Sequence, residues 1–145
     1  MTRKLLFASA MMAAFSVSGG AFAASSVSNI TSTLVASPTV SRGKCPAVIT
    51  FTGTITVKGH IDPHTPVEIG YQFLRSDNAT GPITYYNVTA PGTRTVSTTW
   101  TLGGPPLPTY AGWEQLKAWP TRHEGGFGYS FSKKASFKVV CAPTR

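Results

Sequence analysis

The sequence predicts an all-β protein, a sandwich of about seven antiparallel strands closed by one disulfide. Three observations carry that expectation. Apolar residues recur with a period of two over long stretches, Pro and Gly punctuate those stretches, and two cysteines, Cys45 and Cys141, bracket most of the chain. No segment supports a helix longer than a turn or two.

Residues 1–23 read as a secretory signal peptide. Arg3 and Lys4 supply a positive start, an apolar run extends from Leu5 to about Val17, and Ala21-Phe22-Ala23 supplies the small-residue ending, so cleavage is expected after Ala23. The run is too short, and too interrupted by Ser9, Ser16 and Ser18, to span a bilayer, and no later segment approaches that length. With no cysteine before Cys45 there is no site for a lipid near the cleavage point. The expected address is secreted or periplasmic, with no transmembrane segment.

The remainder is one domain's worth of chain: an N-terminal arm and first strand in 24–40, then the sandwich domain in 41–145. Formal net charge is +8 for the whole chain and about +6 once Arg3 and Lys4 leave. The basic residues are scattered one or two per segment among Ser and Thr, which suits a solvated surface. A nucleic-acid site concentrates them with aromatics on one face, so no specific nucleic-acid partner is expected.

The strands can be placed in chain order. A first strand lies somewhere in Ile30–Val40. From Cys45, Ala47, Ile49, Phe51, Gly53, Ile55 and Val57 share one face, and Thr50, Thr52, Thr54, Thr56 and Lys58 fill the other. Val67, Ile69, Tyr71 and Phe73 form the next alternation, ended by the polar Ser76-Asp77-Asn78 turn. Further strands are expected at 83–90, at 93–102 with Val96, Trp100 and Leu102 on one parity, at 113–119, and at 135–141 with Phe137, Val139 and Cys141. Trp100 and Trp113 are core candidates, and Trp119 is assigned to neither core nor surface.

Seven strands suit an immunoglobulin-like sandwich. If each strand reverses direction, the last runs antiparallel to the one that begins at Cys45, and its end at Cys141 lies at the same pole. The two thiols can then meet, and an oxidising compartment would bridge them. Closing so long a loop contributes on the order of 4 to 5 kcal/mol in the chain-entropy account. The spacing excludes a Cys-x-x-Cys redox motif.

The stretch Cys45-Pro46 through Thr56, Tyr71-x-Phe73-x-Arg75-Ser76-Asp77, Ala90-Pro91-Gly92-Thr93, Val96 to Gly103, Gly112-Trp113 and Phe137-x-Val139-x-Cys141 together resemble a type of small bacterial secreted immunoglobulin-like domain. The resemblance covers nearly the whole chain after the signal. It implies an exported, non-catalytic sandwich and transfers no functional residue.

Candidate function gathers at the pole opposite the disulfide. His60, Asp62 and His64 occupy one connection there, and His123 with Glu124 occupies another, a ligand chemistry suited to Zn²⁺ or Cu²⁺. Solvated loop residues are the simpler reading of that group. The segment 121–131 combines glycines, aromatics and a base, as mobile recognition loops do. Its candidate binding residues are Arg122, His123, Phe127, Tyr129 and Phe131. The competing reading folds the three aromatics back to begin the last strand and cap the core.

Five singly placed acids offer no carboxylate pair, and neither a Gly-x-Ser-x-Gly elbow nor a phosphate-cradling loop is present. The sequence therefore points away from an enzyme and implies no cofactor. The leading expectation is a monomeric, non-catalytic binding or structural module recognising a protein or glycan through the loops of that pole. Two alternatives are a surface or fibre subunit assembling by edge-strand addition, with 25–40 as the donated segment, and a metal-binding periplasmic protein using the loop histidines.

Overall fold

The computed structural model describes residues 24–122 and 128–142. The predicted signal segment 1–23, and His123 and Phe127 of the candidate loop, lie outside the described residues. Among the described residues nine strands form: β1 (Ser26–Ser37), β2 (Val40–Gly43), β3 (Ala47–His60), β4 (Val67–Arg75), β5 (Thr84–Val88), β6 (Gly92–Leu102), β7 (Thr109–Pro120), β8 (Ser130–Phe131) and β9 (Ala135–Cys141). One sheet has the order β1-β3-β6; the other has the order β2-β9-β7-β4-β5, with β8 beside β7. The fold is an all-β immunoglobulin-like sandwich.

Alternation sets the layers. Ile49, Phe51, Ile55 and Val57 of β3 are buried against Ile69 of β4, Leu116 of β7, and Phe137 and Val139 of β9. A strand's side chains alternate faces, so the same spacing sends Thr50, Thr52, Thr54 and Thr56 outward. There Thr54 pairs with Thr33 of β1 at 2.7 Å and Thr56 with Thr93 of β6 at 2.8 Å. Phe51 and Phe137 meet edge-on at 5.5 Å between centroids, and Trp100 meets Phe137 at 5.2 Å and Tyr110 at 5.5 Å. These contacts join the two sheets.

Cys45 and Cys141 are bonded, with Cα atoms 5.5 Å apart. The bond ties the entry to β3 in one sheet to the end of β9 in the other. Gly103, at φ +94°, closes over it: a Cβ there would sit 2.7 Å from Cys45 Sγ and 2.8 Å from Cys141 Sγ. Both the left-handed backbone and the space favour glycine.

Three expectations need correction. The 24–40 arm is not a free segment with a strand in its second half: β1 begins at Ser26 and pairs with β3 along its length, from Ser26↔His60 to Ser37↔Thr50. It is consumed by its own sandwich and is not available for donation. At Pro38-Thr39 the chain crosses to the other sheet, where β2 runs parallel to β9, so strict reversal fails at that step. Trp113 is not in the core, because β7 turns its even-numbered residues Glu114, Leu116, Ala118 and Pro120 inward.

No helix among the described residues is long and apolar enough to cross a membrane. The layer assignment predicts opposite outcomes for neighbouring positions of β3. Phe51→Ala should cost about 3–5 kcal/mol, and Val48→Ala about 0.5 kcal/mol or less. Urea titration followed by tryptophan fluorescence measures both; a larger cost for Val48→Ala than for Phe51→Ala would place β3 in the other register.

Candidate functional site

The outward parity of β7 is Trp113, Gln115, Lys117 and Trp119. Gly70 of β4 pairs with Trp119 on one side and with Tyr85 of β5 on the other, so these three form a row across the outer face. The Trp119 indole covers Gly70 so closely that a Cβ there would come within 2.7 Å of its ring. Only glycine allows the indole to lie against the sheet.

Beyond Trp119, Tyr129 approaches edge-on at 5.7 Å and Phe131 follows at 6.3 Å from Tyr129. Lys117 Nζ stands 3.7 Å from the Tyr129 centroid, 5.3 Å from Trp119 and 5.9 Å from Phe131. Each such cation–π contact contributes about 0.5–1 kcal/mol at an exposed site. Tyr129 is 56% exposed and Phe131 is 50% exposed, so the cluster is an open platform.

Ser132 anchors it. The Ser132 hydroxyl accepts from Leu116 N–H at 3.0 Å and donates to the Lys133 carbonyl at 2.8 Å; Ser132 N–H donates to the Leu116 carbonyl at 2.9 Å, and Gln115 Nε2 donates to the Ser132 carbonyl at 2.7 Å. Burying a serine is tolerated because its hydroxyl and both its main-chain polar groups are partnered. The arrangement pins β8 to β7 and interrupts the final strand before β9.

Next to the platform lies a groove of about 530 Å³, with Ser25, His64, Glu68, Asn87, Thr121 and Arg122 in its wall. Glu68 pairs with Asn87 two residues along from the Gly70–Tyr85 pair, on the same outer face. Thr121 N–H donates to the Glu68 carbonyl at 2.9 Å. The opposite wall is fixed by the Ser25 hydroxyl, which accepts from Asp62 N–H at 2.7 Å and bonds the Thr65 hydroxyl at 2.9 Å. A polar groove thus adjoins an aromatic surface at the pole opposite the disulfide.

Of the candidate loop, Arg122 reaches the groove and Tyr129 and Phe131 form the platform. The reading in which the aromatics cap the core is overturned for the last two: Tyr129 precedes β8 and Phe131 lies in it, and both are exposed. Among the described residues no group of three or more His, Cys, Asp or Glu side chains that could hold a metal ion is found, and the candidate ligand His123 lies outside them. Asp62 Oδ1 instead accepts from His64 N–H at 2.8 Å, closing a turn. Sequence reasoning missed Lys117, Gly70 and Tyr85. Their only signal was the alternation around Trp119, which becomes readable once the parity of β7 is known.

That same parity buries an acid. Glu114 is 2% exposed, and its Oε2 has no hydrogen-bond partner. Burial pushes its pKa up to about 7; nearby Arg75 opposes the shift and Asp77 adds to it. Arg75 is engaged elsewhere: it pairs with Asp77 at 2.6 Å and its guanidinium lies 3.7 Å over Trp100.

No protein-family model matches the chain, and no curated protein matches it. Among solved structures it is similar to the CARDB domain of a Pyrococcus furiosus protein in complex with di-metal ions. Identity is 9% and the TM-score 0.51, over 79% of this chain and 88% of that one. It is also similar to the Pseudomonas fluorescens alkylpurine DNA glycosylase AlkC bound to DNA containing an abasic site analogue. There identity is 10% and the TM-score 0.47, over 77% of this chain and 30% of that one. At such identity the first match shows the fold alone.

Glu114 generates a pH dependence of known sign. The folded state holds this proton more tightly than the unfolded chain, whose carboxyl titrates near 4.5. Its stabilising contribution is therefore complete below pH 4.5 and is lost as pH rises through about 7. The loss is on the order of 3 kcal/mol. Glu114→Gln should match the wild type at pH 4 and exceed it by that amount at pH 8.5 in urea titrations. A variant less stable at the higher pH would show the carboxylate to be well solvated.

Proposed function

We propose that this chain is an exported, non-catalytic binding module. It takes a glycan across the Trp119–Tyr129–Phe131 platform, with the sugar's polar rim reaching the groove of Glu68, Asn87 and Arg122. The observation that carries the reading is the exposure of Tyr129 and Phe131 on a sheet face, held in place by Ser132 and without any covering segment among the described residues. A pyranose ring presents an apolar C–H face and a hydroxyl rim. The first suits an aromatic surface and the second suits convergent charged and amide groups.

The opposite sheet supports the choice by contrast. Its outer face is rich in Thr and Ser, two pairs of which, Thr33–Thr54 and Thr56–Thr93, bond each other, and among the described residues it offers no aromatic surface. Lys117 and Arg122, with the basic charge of the whole chain, favour acidic sugars over neutral ones.

A second reading rests on β6. Among the described residues, its eleven residues pair on one side only, with β3, leaving alternate main-chain groups open to an added strand. Light scattering separates it from the first: a monomer at every concentration rules out assembly through that edge.

Export through residues 1–23 belongs to the same proposal, since a disulfide of this kind is stable in an oxidising compartment. Mass spectrometry of the processed protein should then give Ala24 as the first residue. For recognition, calorimetry with heparin-derived and polygalacturonate oligosaccharides, and with neutral chito- and cello-oligosaccharides, measures binding directly. Joint replacement of Tyr129 and Phe131 by Ala should weaken binding at least about tenfold, and Thr52→Ala on the other sheet should leave it unchanged. Unaltered affinity in the double variant would remove the platform from recognition.

A further inference from the structure

The two sheets are unequal, and they part along one side. β6 ends the smaller sheet there and β5 ends the larger one. Between them opens a cleft of about 310 Å³, separate from the platform and groove, with Tyr71, Phe73, Trp100, Thr98, Arg75 and Glu114 in its wall. Its lining combines apolar aromatic surface with two groups whose hydrogen-bonding capacity is unspent.

Glu114 Oε2 and Arg75 Nε are both buried and both without a partner. They belong to cross-strand neighbours, since Arg75 of β4 pairs in register with Glu114 of β7. One is an acceptor and the other a donor, and leaving such groups unsatisfied in the interior is costly. Arg75 already has its charge answered by Asp77 at 2.6 Å. Ionised Glu114 is then the one uncompensated charge of the three.

We propose that this cleft is a binding site for a protonated primary amine with a carbonyl oxygen beside it, the pattern shared by a free α-amino acid and a peptide N-terminus. The ammonium donates to Glu114 Oε2 and supplies the missing positive charge. The carbonyl accepts from Arg75 Nε–H, and the ligand's side chain lies against Tyr71 and Phe73. Water would not neutralise the buried carboxylate. An ammonium held there also favours the ionised form of Glu114, so binding is coupled to release of its proton.

The probes are L-leucinamide, L-leucine and 4-methylpentanamide, the last of which keeps the amide and side chain and lacks the amine. Calorimetry at pH 7 in buffers of different ionisation heat reads affinity and proton release together. Leucinamide or leucine should bind with proton release, and 4-methylpentanamide should bind at least about tenfold more weakly. The stronger of the first two identifies the source, a peptide N-terminus for the amide or a free amino acid for leucine. Glu114→Gln keeps the shape and should weaken amine binding about tenfold or more. Thr98→Phe, which fills the cleft from β6, should abolish it. Amide proton spectra confirm that both variants are folded. Equal affinity of wild type and Glu114→Gln for leucinamide, equal binding of the amine and the neutral analogue, or no binding of any probe at tens of millimolar overturns the proposal.

Discussion

The burial of β3 against β4, β7 and β9 is the constraint on which the rest of the molecule depends. Ile49, Phe51, Ile55 and Val57 lose nearly all contact with water, and their partners across the interface are Ile69, Leu116, Phe137 and Val139. Because a strand has only two faces, choosing the inner face of each strand also chooses its outer one. Leu116 and Ala118 go in, so Lys117 and Trp119 must come out. The aromatic platform is thus the complement of the core, produced by the same alternation.

The two poles of the sandwich are held in different ways. At one, a covalent bond joins the sheets and Gly103 closes over it without room for a side chain. At the other, hydrogen bonds make the connection: Ser25 ties the start of β1 to the Asp62–Thr65 turn, and Thr121 ties the exit of β7 to Glu68. Hydrogen-bonded connections of this kind leave side chains such as His64, Asn87 and Arg122 around a polar groove.

Glu114 shows the cost of the same alternation. Register with Arg75 on β4 and Ala135 on β9 places it in the interior, where its carboxyl has no strong partner and holds its proton to about pH 7. A core built for stability alone would carry an apolar residue there. The acid sits where the smaller sheet ends and the larger one continues, in the wall of a cleft between their edges that also carries the unpartnered Arg75 nitrogen. Unequal strand number and a buried charge therefore coincide in one place.

Much of this was legible in the residues themselves. The alternation from Cys45 to Val57 has one apolar and one Thr-rich parity, so both faces of β3 could be read, and with them the disulfide pole and the all-β class. In 113–119 the pattern is ambiguous: Trp113 and Trp119 lie on one parity, Leu116 and Ala118 on the other. Sequence alone favoured Trp113 for the core. Pairing decided otherwise, because Tyr71↔Ala118 and Phe73↔Leu116 align small and aliphatic side chains with the inner face of β4. Leu116 and Ala118 then face the core, and the Trp119 indole lies on the outside over Gly70. The crossing at Pro38-Thr39 and the break before β9 at the buried Ser132 were equally invisible, since each depends on a partner strand remote in sequence. Local pattern determined which residues form strands and how the chain is closed; register between distant strands decided which aromatics became surface and which acid became core.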